Sequence, residues 1–211
     1  GLALLVSGGH TEIVNINKLS NQYNYNKIGE TLDDAAGECF DKSARVLGIE
    51  YPGGPIISKL AQIARESDMT IRPEMKLPRP MINTTDYNFS FSGLKTAVLD
   101  RYNKGLITTQ QDKELFAKEI EDAIVDCLMK KLEKAIIEYT PTNILLGGGV
   151  SANTNLRDRL KILCEDYNIN LFIPSIPLAM DNSLMIASVA YYKIINNITY
   201  TSIQELKANP R

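Results

Sequence analysis

Two short apolar runs that end in glycine constrain this chain more than anything else in it: "LALLVSGG" at residues 2–9 and "NILLGGG" at 143–149. A short apolar run that stops at glycine reads as a strand entering a tight turn. The apolar residues need cover, and glycine supplies backbone angles that other residues resist. Glycine turns also let backbone N–H groups approach a ligand with no Cβ in the way. The residues between the two runs decide what kind of sheet joins them.

From Ser7-Gly8-Gly9 the chain continues into "HTEIVNI", which predicts strand, turn, strand, with a third strand around residues 23–28. Over 31–48, apolar Leu32, Ala36, Phe40 and Leu47 fall at near-helical spacing and Gly48 is the stop. "YPGGP" is a rigid loop, and Pro55 suits the first position of a helix "PIISKLAQIAR". Residues 71–92 are proline-rich, aromatic and locally basic, a loop or β-excursion. Helices are expected over 93–104 and 112–139. Then come a strand at "NILLGGG", a helix at "TNLRDRLKILCEDY", a strand at "INLFIP" and an apolar helix at "NSLMIASVAYYKIIN". This order predicts an α/β chain, a mixed sheet flanked by helices. Ligands of such sheets gather at the carboxyl ends of the strands, where both glycine turns fall.

Bulk properties exclude some functions. A net charge of −2 writes no general attraction to nucleic acid into the chain. The longest apolar runs fall far short of the ~20 residues that span a bilayer, and no signal peptide is visible. Three cysteines, Cys39, Cys127 and Cys164, at no metal-like spacing point to a reduced, cytoplasmic setting. His10 is the only histidine, so a His-rich metal centre cannot be built within this chain. The chain opens without methionine directly on a strand-like run, the expectation for the downstream part of a longer protein.

Each motif has a bland and a chemical reading. "SGGHT" is a glycine hairpin, or a nest for a phosphate with Ser7 adding a hydroxyl. "LGGGVSAN" is a strand-to-helix turn capped by Ser151 or Asn153, yet one glycine would serve that turn and there are three. A nucleoside packed on Gly147–Gly149 explains the excess, and on that reading Gly148→Val blocks the nucleotide and barely alters stability. Asp34, Glu38 and Asp41 would share one helix face, a solvated face or a polar site offset by Lys42 or Arg45. Gly37, in mid-helix, permits close approach. Asp181 and Asn182 precede an apolar helix, where an aspartate is most often the cap. The loop "IRPEMKLPRP", with Arg72, Lys76 and Arg79, is a solvated loop or a phosphate grip. Cys39 lies among acids with no base fixed beside it, and Ser7 and His10 are too close in sequence for a triad.

Taken in order, "LLVSGGHTEIV", "GETLDDAAGECFDKSARVLG", "YPGGP", "FSFSGLKT", "GGGVSAN" and "MDNSLMIA" resemble the tRNA threonylcarbamoyltransferase family TsaD, once labelled a sialoglycoprotease. The resemblance runs from Leu2 to about Lys193. It implies an actin-like ATPase fold of two ribonuclease-H-like lobes with the nucleotide between them. Residues 1–211 would be the second lobe, with a proline-rich insertion at about 68–92 and the upstream lobe absent. The implied reaction moves a threonylcarbamoyl group from threonylcarbamoyl-AMP to N6 of the adenosine beside the tRNA anticodon, releasing AMP. Leu5, Val6, Ser7, Gly8 and Gly9 would line the substrate site with Asp41, Gly54 and Asn153, and Asp181 would bind a metal, iron(II) or another divalent ion.

The family's other metal ligands, two histidines, have no match here, so this chain alone is expected to bind metal weakly or not at all and to be inactive. Ala179 and Met180 replace the Cys-Thr that often precedes the Asp-Asn. The implied partners are tRNA, a paralogous actin-like protein and a small ATPase, with no membrane. Rival readings are a small-molecule kinase of the same fold and a non-catalytic nucleotide-binding domain. A metalloprotease lacks its His-Glu helix here.

Overall fold

The computed structural model describes residues 1–19, 22–67 and 70–196. The chain divides into two compact units, Gly1–Ala179 and Met180–Arg211. In the first, β1 (Leu2–Val6), β2 (Thr11–Leu19), β3 (Gln22–Glu30), β4 (Asn143–Gly147) and β5 (Asn170–Phe172) form one sheet in the order β3-β2-β1-β4-β5. β1–β2 and β2–β3 are antiparallel, whereas β1–β4 and β4–β5 are parallel. The parallel pairs need crossovers, which the helices supply.

Those helices are α1 (Ala36–Val46), α2 (Gly53–Arg65), α3 (Ser92–Asn103), α4 (Gln110–Tyr139), α5 (Thr154–Asp166) and the single turn α6 (Ile176–Ala179). Leu2, Leu4 and Val6 of β1 join Phe40 of α1, Phe116, Ile120 and Ile124 of α4 and Leu156 of α5 in one core. Burying each such side chain contributes about 1.5–3 kcal/mol, and that burial fixes which face of the sheet the helices cover. The second unit contains α7 (Ser183–Ile195), largely apolar with one charged residue, Lys193, in its last turn. The mixed sheet flanked by helices is the α/β architecture expected above.

Three helices start elsewhere than the spacing predicts, α1, α2 and α4, the last at Gln110 and not at 112. α1 begins at Ala36 because residues 31–34 are held outside it: Thr31 Oγ1 donates to the Asp34 carbonyl at 2.7 Å, and Ala36 N donates to Thr11 Oγ1 at 2.9 Å. α2 begins at Gly53, two residues before Pro55, because Asp41 reaches across from α1 to receive its first amides. α4 is capped by a reciprocal pair, Thr109 Oγ1 accepting from Asp112 N while the Asp112 carboxylate accepts from Thr109 N. It is long enough to cross the whole sheet and buries three charged side chains, Glu119, Glu121 and Lys131.

Residues 71–91 form a loop with one 3₁₀ turn at Pro73–Met75 and an isolated bridge between Thr31 and Phe89. Residues 68 and 69, at the start of the expected insertion, lie outside the described residues. The loop is tied to α4. Leu77 N donates to Glu119 at 2.8 Å, and Lys131 Nζ donates to Thr84 Oγ1 at 2.6 Å and to the Asp86 carbonyl at 2.8 Å.

Candidate functional site

β1 and β4 lie side by side with Leu5 opposite Gly147, so both glycine turns leave the sheet at the same edge. Gly148 makes the joint. Its φ is +88°, and a Cβ there would lie 2.3 Å from the carbonyl oxygen of Val6. Only a residue without a side chain lets the second turn close against the end of β1. The expectation that Gly148 faces a nucleotide is therefore corrected: it faces the backbone of the neighbouring strand. Gly149 and Gly8 are different, since a Cβ at either would meet nothing within 4 Å. Both face open space at the mouth.

The first turn is closed by its own serine. Ser7 Oγ accepts from His10 N at 3.0 Å and from Gly9 N at 3.3 Å, and Ser7 N donates to the His10 carbonyl at 2.7 Å. That commits two of the turn's amides, while Gly8 N has no partner among the described residues. The turn rests on the start of α1, where Gly37 N donates to the Ser7 carbonyl at 3.1 Å. A Cβ on Gly37 would stand 2.7 Å from that carbonyl, so the close approach the sequence suggested is made by backbone. The positive end of α1 thus lies beside Gly8.

One turn along α1, Asp41 Oδ1 accepts from Gly53 N at 2.8 Å and Gly54 N at 3.2 Å, leaving Oδ2 without a protein partner among the described residues. Asn153 is buried, and all its donors are committed. Its Oδ1 caps α5 by accepting from Leu156 N at 2.8 Å, and its Nδ2 donates to Ser58 Oγ of α2 at 2.7 Å and Glu121 Oε1 of α4 at 2.5 Å. As a ligand group it retains only the second lone pair of Oδ1. Leu5, Val6, Ser7, Gly8, Gly9, Asp41, Gly54 and Asn153 thus belong to one connected cluster built on β1, α1, α2 and the turn after β4.

The family profile of the tRNA N6-adenosine threonylcarbamoyltransferase, TsaD, matches residues 2–188. The enzyme of that name from Persephonella marina is 43% identical over 193 residues, 90% of this chain and 52% of its own length. The one from Thermosipho africanus is 41% identical over 213 residues, 98% of this chain and 61% of its own length. The chain belongs to this family. It spans between about half and three fifths of the length of those relatives. Among solved structures, the activator of the 2-hydroxyisocaproyl-CoA dehydratase from Clostridium difficile covers 95% of this chain and 64% of its own, with a TM-score of 0.48 and 14% identity.

In this TsaD chain several other sequence candidates take structural roles. Asp34 precedes α1, so the three carboxylates do not share a helix face. Lys42 offsets two of them, at 2.7 Å from Asp34 and 3.0 Å from Glu38. The basic loop is neutralised from within: Arg72 pairs with Asp112 at 3.0 Å, and Arg79 pairs with Glu119 and, at 2.9 Å, Asp126. Burial pushes the thiols of Cys39 and Cys127 up to about 12 and that of Cys164 up to about 11, which leaves them inert at neutral pH. A groove of about 370 Å³ between α4 and α5 lies away from the glycine turns. Its charges answer one another, Arg159 to Asp126 at 2.7 Å and Lys130 to Glu133 at 3.0 Å.

Asp181 belongs to the second unit and sits in an exposed bend, where Asn182 and not Asp181 caps α7, accepting from Met185 N at 3.1 Å. Among the described residues no three His, Cys, Asp or Glu side chains are grouped to hold a metal. The described residues do not fit a metal by themselves. Nor is any described helix long and apolar enough to cross a membrane.

One residue beside the site carried no signal in the sequence. Asp33 accepts from both hydroxyls and two amides of the "FSFSG" segment: Ser90 Oγ at 2.6 Å, Ser92 Oγ at 2.6 Å, Phe91 N at 2.7 Å and Ser92 N at 3.2 Å. It clasps the loop before α1 to the start of α3. Partial burial opposes its charge, but the serine hydroxyls and backbone amides outweigh that and hold its carboxyl below the ordinary 3.8. A depressed carboxylate stabilises the fold above its unfolded value, and that stability is lost as pH falls through the folded value. Asp33→Asn should therefore lower the urea midpoint at pH 7, with the deficit closing below about pH 4. A deficit constant down to pH 2.5 would show that charge is not what Asp33 contributes.

Proposed function

We propose that this chain is the adenylate-holding lobe of a tRNA threonylcarbamoyltransferase, which moves a threonylcarbamoyl group from threonylcarbamoyl-AMP to N6 of an adenosine in tRNA and releases AMP. The observation that supports this is the pairing of Gly8 and Gly149, two open glycines at the carboxyl ends of adjacent parallel strands. The attacking amine must meet the acyl carbon of a mixed anhydride, and charge on the departing phosphate must be stabilised. The unpaired Gly8 amide beside the start of α1 suits that phosphate. Oδ2 of Asp41 suits a ribose hydroxyl, and the flat surface at Gly149 suits a nucleoside. Because Oδ1 of Asp41 also holds Gly53 and Gly54, loss of affinity in Asp41→Ala alone would not separate contact from displacement of α2.

A complex of the intact native protein with AMP tests the reading: electron density should lie between Gly8 and Gly149. Density elsewhere, or phosphoryl transfer from ATP to a small alcohol or carboxylate with no carbamoyl transfer, would replace it with the kinase reading. Asp181 offers one carboxylate, and an upstream lobe would supply a metal's remaining ligands. Residues 1–211 expressed alone should retain no stoichiometric iron by atomic absorption after dialysis, and one equivalent retained would refute that. The expected partners are tRNA, a paralogous actin-like protein and a small ATPase, in the cytoplasm.

A further inference from the structure

We infer that Glu121 is a positioning residue for the adenylate site, acting through Asn153; the inference rests on the function proposed above. Glu121 is 1% exposed, in the middle of α4, and touches neither glycine turn's open face. Its two oxygens have different partners. Oε1 accepts from Asn153 Nδ2 at 2.5 Å, and Oε2 accepts from Nη1 of Arg65, at the far end of α2. Arg65 uses its other arm on Asp122, which also accepts from Asn155 Nδ2 at 3.1 Å.

A carboxylate can only accept and the Leu156 amide can only donate, and together they settle which way the Asn153 amide faces. With Nδ2 turned to Glu121 and Ser58, Oδ1 is turned to the first turn of α5. The segment from Gly149 to Asn153 is thereby held to α2 and α4 at once. The same α2 carries Gly53 and Gly54 at its start, held by Asp41. Glu121 therefore fixes the spacing between the two walls that carry Gly149 and Gly54, without contact with the ligand. Without the carboxylate Asn153 keeps its cap on Leu156 N but loses its tie to α4, and Gly149 loses its fixed height above the mouth.

Glu119 provides the control. It is a buried carboxylate two residues away on α4, but it serves Leu77 N and Arg79 and has no bond to the glycine segment. In the intact native protein, Glu121→Gln should raise the AMP dissociation constant about tenfold, the scale on which support shells act. The KM for the adenylate should rise with it while kcat holds, the pattern of lost binding common to ground and transition states. Glu119→Gln should lower the urea midpoint comparably and leave AMP affinity within twofold. A merely structural role moves the midpoints alike and moves affinity in neither. If Glu121→Gln does not fold, Arg65→Lys decides: it keeps the cation and loses the fork between Glu121 and Asp122, and should raise the AMP dissociation constant about threefold. Unchanged AMP affinity in the deciding variant, in a protein where Gly149→Val weakens AMP binding strongly, overturns the positioning role. AMP affinity that neither Gly149→Val nor Gly8→Val weakens overturns the adenylate site itself.

Discussion

Replacing Gly148 by valine should leave a protein that fails to fold stably, whatever it does to ligand binding. Two costs combine. A β-branched residue held at φ +88° is strained by roughly 1–3 kcal/mol. Its Cβ would also stand 2.3 Å from the Val6 carbonyl oxygen and 2.7 Å from the Val6 carbonyl carbon. That backbone cannot retreat, because Val6 pairs with Thr11 and its side chain is buried in the core. Overpacking against such a partner adds roughly 1–3 kcal/mol. The sum, about 2–6 kcal/mol, is a large part of the 5–15 kcal/mol that holds typical domains together. Urea denaturation of the intact protein checks it. Even Gly148→Ala should shift the midpoint strongly, while Gly149→Ala, with nothing within 4 Å of its new Cβ, should shift it little. Equal midpoints for these two alanine variants would show that the second turn does not close on β1 as described.

The contrast between those neighbours also marks the limit of what the residues disclose in linear order. That both glycine turns fall at the carboxyl ends of strands in one mixed sheet was legible, because short apolar runs ending in glycine fix strand ends; that the two strands are neighbours was not. Local chemistry narrowed the cap to Ser151 or Asn153, of which Asn153 is the one used, and it also pointed to close approach at Gly37. Which glycine faces a neighbour and which faces solvent was not. That depends on the register of β1 against β4, set by residues about 140 positions apart. The start of α1 was misjudged for the same reason: Asp33, within its apparent periodicity, finds its partners at Ser90, Phe91 and Ser92. The commitment of Asn153 to Glu121 has no local signature either. A glutamate amid the apolar stripe of a long helix looks like surface until the helix is known to be covered on most sides. The basic loop misled in the opposite sense, since carboxylates of α4 claim both Arg72 and Arg79.

Gly149→Val and Gly8→Val should separate folding from binding cleanly. Both positions lack positive φ, and a Cβ at either meets no atom within 4 Å, so the side chain of a valine starts into the open mouth with neither backbone strain nor a Cβ clash. The urea midpoint should stay close to that of the unsubstituted protein, in keeping with surface substitutions that change stability by about 0.5 kcal/mol or less. A ligand lying across the mouth must then clash with the new side chain or rise away from the amides beneath it. A clash of about 2 kcal/mol, mid-range for overpacking, corresponds to a roughly thirtyfold loss of affinity. Isothermal titration of the intact protein with AMP should show at least that loss in each variant. The double variant should lose no more than the larger single loss once binding is undetectable, because both valines would exclude the same molecule. If only one valine weakens AMP, the two turns do not share a ligand, and the turn that responds is the whole of the site. If neither does, the open glycines of β1 and β4 serve the sheet alone, and the adenylate must be held elsewhere.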